Sequence, residues 1–195
     1  FGVSVVEAES LDEAVSLTSD WPELQYGGQL DIFEALAAED SGPGPDGYAL
    51  DLFADVRRQI LDILRGLPAG KADDISAGFG NNMRGHAGHL LAITDKLMFQ
   101  FSGEGSRIPA EYETWFASGT APSDWSREPP ATNALLIQLE EQMAAIRETF
   151  AGRMSSPVAD RSNFLRATTV GELFHVLIAH ESTHLGMIQA MARML

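Results

Sequence analysis

The sequence predicts a mainly α-helical protein, a four-helix bundle preceded by a small β-α-β segment, which makes the whole chain α+β. Two observations support this prediction. Apolar residues recur at helical spacing in four long stretches between positions 48 and 195. Residues 38–47 read AEDSGPGPDG, and a segment so rich in Gly, Pro, Ser and Asp is typical of a linker. We therefore expect an N-terminal segment over 1–37, a linker over 38–47 and a bundle over 48–195.

The N-terminal segment alternates strand-like and helix-like sequence. GVSVVEA, residues 2–8, is a short β-rich run and is predicted to form a strand. SLDEAVSLTSDW, residues 10–21, starts with Ser10 at the position of a helix N-cap and continues with acidic residues, as helices prefer. GGQLDIFEAL, residues 27–36, is predicted to be the second strand. The order strand, helix, strand gives the β-α-β unit.

Four helices are predicted for the bundle, each from apolar residues that repeat on one face. Their sequences are ALDLFADVRRQILDILRGL at 49–67, GNNMRGHAGHLLAITDKLMFQF at 80–101, ATNALLIQLEEQMAAIRETFAGRM at 131–154 and GELFHVLIAHESTHLGMIQAMARML at 171–195. The last helix is predicted to be capped at Thr168 or Thr169, with Glu172 near the capping-box position.

A long irregular connection, residues 104–130, separates the second and third bundle helices. It is punctuated by Gly and Pro and carries Tyr112, Trp115 and Trp125. These aromatic side chains could cover a pocket, but aromatic residues in such a segment more often only pack against the core.

Charge and composition exclude several classes of protein. The formal net charge is -15, and residues 1–56 contain 13 acidic residues and no Lys or Arg. Such a surface repels phosphate backbones, so we expect no nucleic-acid partner, and we expect the acidic face mainly to aid solubility. No apolar run is long enough to span a membrane. The opening residues lack the basic front of a signal peptide, so a cytoplasmic location is expected.

All five histidines fall in two of the predicted helices: His86 and His89 in the second, and His175, His180 and His184 in the fourth. Residues four apart lie about 40° apart around a helix, so His180 and His184 can reach one ion. His175, about 140° away from His180, is predicted to lie outside the site. The second helix can supply a third ligand from either His86 or His89. The chain has no cysteine, so a metal ion would have no thiolate ligand. Three imidazole ligands that leave other coordination positions of the ion open are typical of a transition-metal site.

The histidines also allow two other interpretations. Each histidine, taken alone, could be a core or surface imidazole without a ligand. The string HESTH also fits the His-Glu-x-x-His pattern of zinc proteases, in which Glu181 would activate water. The longer form of that pattern needs Gly at 187 and His at 190, where this chain has Met187 and Ala190, and only eleven residues follow His184. A protease is therefore disfavoured.

The segments GHLLAITDKLM at 88–98 and HESTHLGMIQAMARML at 180–195 resemble the DinB/YfiT-like superfamily of metal-binding four-helix bundles. The resemblance covers about residues 48–195. It implies a metal site formed by His89, His180 and His184. Family members commonly have the string Gly-Gln-Ile after the last histidine, whereas here Gly186 is followed by Met187 and Ile188.

The first 36 residues resemble the second half of a YCII-related domain, on the stretch VVEAESLDEAVSLTSDWPELQYGGQLDIFEA. That resemblance implies a small ferredoxin-like unit. We expect it to be structural or to form oligomers rather than to be catalytic.

The resemblance to the DinB/YfiT-like superfamily implies a function as well. It implies an enzyme that uses a divalent metal, zinc or nickel by expectation and iron as the alternative, to activate a low-molecular-weight thiol for S-transfer to a small electrophile. Glu181 could orient an imidazole, act as a base or simply lie beside the pocket. His86 and Arg84 are candidate pocket residues. Because bundles of this family often pair, a homodimer is expected. The alternatives are a non-catalytic metal- or ligand-binding bundle related to stress or detoxification, and a hydrolase that uses metal-activated water.

Overall fold

The structure, a computed structural model, describes residues 8–27, 30, 32 and 44–195. The chain divides into two compact units, Phe1–Ser41 and Gly42–Leu195. The candidate site lies in the second unit.

The described part of the first unit contains two short helices, α1 over Leu11–Thr18 and α2 over Pro22–Gln25. The predicted N-cap is confirmed, because the Ser10 hydroxyl accepts a hydrogen bond from the Glu13 amide at 3.2 Å. The two strands predicted over 2–8 and 27–36 lie outside the described residues, except at positions 8, 27, 30 and 32, which are not in strands. The β-α-β segment is therefore not seen in the described part of this unit.

The second unit is helical, as predicted, with five α-helices labelled in chain order: α3 Gly44–Arg65, α4 Met83–Thr94, α5 Tyr112–Phe116, α6 Thr132–Phe150 and α7 Val170–Ala192. The four long helices are α3, α4, α6 and α7, and they form the bundle. A π-helical segment, Asp95–Gln100, continues α4 without a break.

The first bundle helix starts earlier than predicted. α3 begins at Gly44, inside the stretch 38–47 that was interpreted as a linker. Proline is tolerated in the first turn of a helix, and an acidic residue is favoured there, so the sequence Gly-Pro-Asp can open a helix as well as interrupt one. Asp46 also accepts a hydrogen bond from the Met154 amide at 3.2 Å, which fixes this first turn to the segment after α6.

Side chains cap the two helices that carry the histidines. The Asn82 side chain accepts a hydrogen bond from the Gly85 amide at 2.8 Å at the start of α4. Thr169 and Glu172 form the capping box predicted for α7, since each side chain accepts a hydrogen bond from the other residue's amide. These caps set where each helix starts.

The connection between α4 and α6 packs onto the bundle instead of lying free on its surface. Tyr112, Trp115 and Phe116 are buried in the same apolar cluster as residues of α3, α4, α6 and α7. The Trp125 indole N–H donates to the Trp115 carbonyl at 3.0 Å, a hydrogen bond within the connection itself.

Among the described residues, no helix is both long and apolar enough to cross a membrane.

Candidate metal centre

Two helices bring three imidazoles together. His89 projects from α4, and His180 and His184 project from successive turns of α7. One nitrogen from each ring lies within 4.8 Å of the other two. The closest approach is 3.2 Å, between His89 Nε2 and His180 Nε2. Because two ring nitrogens with lone pairs repel each other at this distance, the arrangement calls for a proton or a cation between them.

The connection over the bundle orients His89. Its Nδ1–H donates to the Phe116 carbonyl at 2.8 Å, so the lone pair is on Nε2, which faces His180. Gly88 makes this contact possible, because a Cβ at that position would lie 2.4 Å from the Phe116 ring. The glycine before His89 thus allows α5 to approach α4 and fix the imidazole tautomer.

A fourth imidazole reaches the same cluster. His86 lies one turn before His89 on α4, is 4% exposed, and its Nδ1 is 2.9 Å from His184 Nδ1. His175 is exposed on the outer part of α7, as predicted from its position around the helix. The structure therefore brings four of the five histidines together. His175, which was predicted to lie outside the site, is the fifth.

The environment keeps these rings neutral. Burial, together with the smaller effect of the charge on the neighbouring His89, lowers the pKa of His86 to about 4. Burial together with the charges on His89 and Arg57 lowers the pKa of His180 to about 4. For His184, burial and the other three imidazoles lower the pKa to about 3, and burial also lowers the pKa of His89. Neutral imidazoles have the lone pairs that a metal ligand needs.

Glu181 is not free to act as a base at the histidine cluster. Its side chain is fully buried and forms a bidentate ion pair with Arg57, whose Nε donates to Oε2 at 2.9 Å. Thr94 donates to the other carboxylate oxygen at 3.1 Å. Both oxygens are therefore occupied, and no imidazole is among their hydrogen-bond partners. These contacts favour a structural role for Glu181 over the two roles at the metal site that were predicted for it, orienting an imidazole or acting as a base.

The ion pair is the centre of a buried polar network that joins all four bundle helices. Arg57 on α3 also donates to Thr94 on α4 at 3.1 Å, and to the Leu139 carbonyl and the Gln142 amide oxygen on α6, each at 3.3 Å. The sequence interpretation did not identify Arg57. Its position gave a signal, because it lies among the apolar residues of α3, four residues after the buried Phe53.

Arg84, the other predicted pocket residue, faces a different part of the molecule. It forms ion pairs with Asp73 and Glu128, and its guanidinium lies 5.1 Å from the centre of the Trp125 ring. It lines a cavity of about 440 Å³ between the end of α3 and the start of α6. A second cavity, of about 340 Å³, is lined by residues that include Arg107 and Gln142. None of the clustered histidines lines either of these two cavities.

The sequence model of the DinB superfamily matches residues 52–188, a range that contains all four clustered histidines as well as Arg57 and Glu181. No curated protein matches the chain significantly. Because the family match starts at residue 52, the YCII-related resemblance of the first 36 residues stays a prediction.

Proposed function

We propose, since this chain belongs to the DinB superfamily, that it binds a divalent transition metal and uses it to activate a low-molecular-weight thiol for S-transfer to a small electrophile. The ligands in this proposal are His89, His180 and His184. The observation that carries it is the approach of their three ring nitrogens to within 4.8 Å of one another.

The donor set fits such an ion. Three neutral imidazoles from two packed helices match the nitrogen ligands that zinc, nickel and iron accept, so we propose zinc or nickel, with iron as the alternative. The Phe116 carbonyl holds the His89 tautomer that leaves Nε2 as the ligand atom. His180 Nδ1 is buried without a hydrogen-bond partner among the described residues. If His180 binds through Nε2, its Nδ1–H therefore has no hydrogen-bond acceptor among these residues.

The chemistry follows from what the chain has and lacks. When bound, a divalent ion with open positions lowers the pKa of a thiol or a water molecule and so supplies a nucleophile at neutral pH. The chain has no cysteine, so the sulfur has to come from a co-substrate. The three proposed ligands are each only partly buried, which leaves the cluster open to a small molecule from solvent. We therefore propose a small thiol and an electrophile as substrates. We also propose a homodimer as the assembly and the cytoplasm as the location, as expected from the sequence.

One observation favours a second candidate, a metal- or ligand-binding bundle without turnover. Both oxygens of Glu181 are held by Arg57 and Thr94, so the carboxylate beside His180 in the sequence is not available to move a proton. The same observation weighs against a hydrolase in which Glu181 is the base that takes a proton from water. An S-transfer reaction depends on this less, since a thiol that joins the ion loses its proton more easily than water does.

The metal content of the protein purified without an affinity tag tests the first step. We expect about one metal ion per chain in the wild type and none in the His180→Ala/His184→Ala variant. His175→Ala is the matched control, because it removes an exposed histidine from the same helix, and it should keep the metal. Metal loss in the control, or equal retention by all three proteins, would contradict the ligand assignment.

The reaction is tested separately with a low-molecular-weight thiol extract and a halonitrobenzene electrophile. The metal-loaded protein should form the thioether conjugate, and the protein stripped with a chelator should not, until the metal is restored. Metal binding without conjugate formation, over a panel of electrophiles, would leave the non-catalytic bundle as the better description. Equal activity of the stripped protein would show that the mechanism is wrong.

A further inference from the structure

His86 makes a contact with the proposed ligand set that restricts its proton arrangement. Its Nδ1 is 2.9 Å from His184 Nδ1, and the two rings meet edge to face with an angle of 65° between their planes. At this distance one nitrogen donates a hydrogen bond and the other accepts it. Only two arrangements of the proton are therefore possible when both rings are neutral.

The two arrangements differ in what they leave for a metal. If His86 Nδ1–H donates, the His184 Nδ1 lone pair is used in the hydrogen bond and His184 Nε2 carries the ring proton. His184 then has no lone pair left to bind an ion. If His184 Nδ1–H donates, His184 Nε2 keeps its lone pair and the ring is a competent ligand. Binding at His184 thus requires the second arrangement, with His86 as the acceptor.

We propose that His86 is a positioning residue that accepts the Nδ1–H of His184 and thereby makes Nε2 the metal-binding atom of that ring. This inference rests on the proposed metal site. It assigns to His86 the same task for His184 that the Phe116 carbonyl performs for His89, where the Nδ1–H donates at 2.8 Å. The two α4 histidines would then have different roles, one as ligand and one as the partner of a ligand.

The geometry separates this role from that of a fourth ligand. The ring nitrogens of His89, His180 and His184 lie within 4.8 Å of one another, and the group with this property does not include His86. His86 is also the most enclosed of the four, at 4% exposure, whereas the other three are partly exposed. A partner behind the ligand is expected to be enclosed, and a ligand that shares its ion with a substrate needs access.

The first test uses the metal-free, ¹⁵N-labelled protein at pH 7, where the tautomers of the histidines can be read from long-range ¹H–¹⁵N correlation spectra. We expect His184 to carry its proton on Nδ1 and His86 on Nε2. In His86→Phe, which keeps a ring but removes the acceptor, the His184 proton should move to Nε2. Protonation of His184 on Nε2 in the wild type, or an unchanged tautomer in His86→Phe, would overturn the proposal.

The second test measures Zn²⁺ affinity by competition with a chelating dye, and the visible spectrum after Co²⁺ loading. His86→Phe should bind Zn²⁺ about 10- to 100-fold more weakly than the wild type, which is typical of losing a partner behind a metal-bound histidine. His86→Gln, whose amide oxygen can accept the same hydrogen bond, should recover a large part of the affinity and the wild-type Co²⁺ spectrum. If His86 only filled space, His86→Phe should bind Zn²⁺ better than His86→Gln, because Phe keeps a ring and Gln does not.

Failure of this inference can be told apart from failure of the proposed function. If the wild type binds Zn²⁺ and His86→Phe binds equally well with the same Co²⁺ spectrum, the metal site stands and the role of His86 is wrong. If the wild type binds no metal, the proposed function is wrong. The tautomer spectra then still decide whether His184 donates to His86. His175→Ala should match the wild type in every measurement.

Discussion

The Arg57 guanidinium and the Glu181 carboxylate form an ion pair in which both side chains are 0% exposed, across 124 positions of the sequence. Charged groups without water need all of their hydrogen bonds from the protein, and Thr94, Leu139 and Gln142 supply the remaining partners of Arg57. Because Glu181 follows His180 in α7, the pair also fixes the rotation of the helix that carries two of the proposed ligands.

Removing one partner of this pair should destabilise the fold strongly. Glu181→Ala leaves the Arg57 charge buried and uncompensated, and we expect the free energy of unfolding to fall by about 3–5 kcal/mol. Urea denaturation of the metal-free protein measures this change. The control is Asp55→Ala, which breaks the ion pair between Asp55 and Arg58 on α3, the helix that also carries Arg57. Those side chains are 59% and 56% exposed, so the cost should stay below about 1 kcal/mol. Equal losses in both variants would contradict the role of the network.

Acid should weaken the metal-free protein over a definite pH range. The ordinary pKa of His is about 6.5, but it is about 4 for His86 and His180 and about 3 for His184 in the folded protein. As the pH falls below 6.5 the unfolded chain therefore binds protons that the folded chain does not. The resulting loss of stability continues to about pH 4 for His86 and His180 and to about pH 3 for His184. Each of these histidines can contribute at most about 1.4 kcal/mol per pH unit.

Urea unfolding at pH 7.5, 6 and 5 with a chelator present checks this prediction. The His180→Ala/His184→Ala variant should show a shallower decline than the wild type, because two of the affected groups are absent. His175→Ala should follow the wild type, since its ring is exposed. A wild-type stability that rises as the pH falls from 7.5 to 5 would show that the direction of the pKa shifts is wrong.

Gly88→Ala should disturb both stability and the metal site. The new Cβ would lie 2.4 Å from the Phe116 ring, so α5 has to move and the hydrogen bond from His89 to the Phe116 carbonyl lengthens. We expect a loss of about 1–3 kcal/mol from overpacking, together with weaker Zn²⁺ binding. Denaturation and dye competition measure the two effects.

Gly186→Ala is the matched control for Gly88→Ala. Gly186 lies in α7, two residues from His184, and a Cβ there would meet nothing within 4 Å. Because alanine favours helix over glycine, this variant should be more stable by about 0.5–1 kcal/mol and should keep its Zn²⁺ affinity. Similar behaviour of the two alanine variants would contradict the packing described at Gly88.

Thr169→Ala should lower stability without affecting the metal. It removes the side chain that accepts from the Glu172 amide at 3.3 Å, and the loss of such a cap costs about 1 kcal/mol. His180 lies three turns further along α7, so Zn²⁺ affinity should not change. Thr169→Ser, which keeps the hydroxyl, should be close to the wild type in thermal denaturation. A large loss of Zn²⁺ affinity in Thr169→Ala would show that α7 is less rigid than its packing indicates.

Local sequence was enough to predict α1 and the four long helices, because apolar spacing and capping residues act within a few positions of the chain. It did not predict α5, which lies in the connection over 104–130 that was expected to be irregular. It placed Ser10 at a helix start and either Thr168 or Thr169 at the start of α7, and it placed His180 and His184 on one side of α7. It also led to the interpretation of residues 38–47 as a linker, although α3 begins at Gly44. The sequence Gly-Pro-Asp is compatible with both a linker and a first helical turn, and contact of Asp46 with the segment after α6 favours the helix.

The packing of the helices determined which side chains contact each other across the bundle, and local sequence patterns did not predict these contacts. The sequence left open whether His86 or His89 joins the α7 pair. Their side chains lie on neighbouring parts of one helix surface, and the choice depends on how α4 is rotated against α7 and α5. The HESTH string led to Glu181 as a base, but Arg57, distant in sequence and close in space, holds the carboxylate.

The sequence by itself therefore determined the helical class, the family and the histidines from which a metal site can be made. Only the tertiary structure decided the partner of each of these side chains: Phe116 for His89, His86 for His184 and Arg57 for Glu181. The physical reason is that the periodicity of a helix fixes which face a residue occupies. The hydrogen bonds that set a tautomer or neutralise a buried charge instead come from other helices, whose approach depends on the whole packed core.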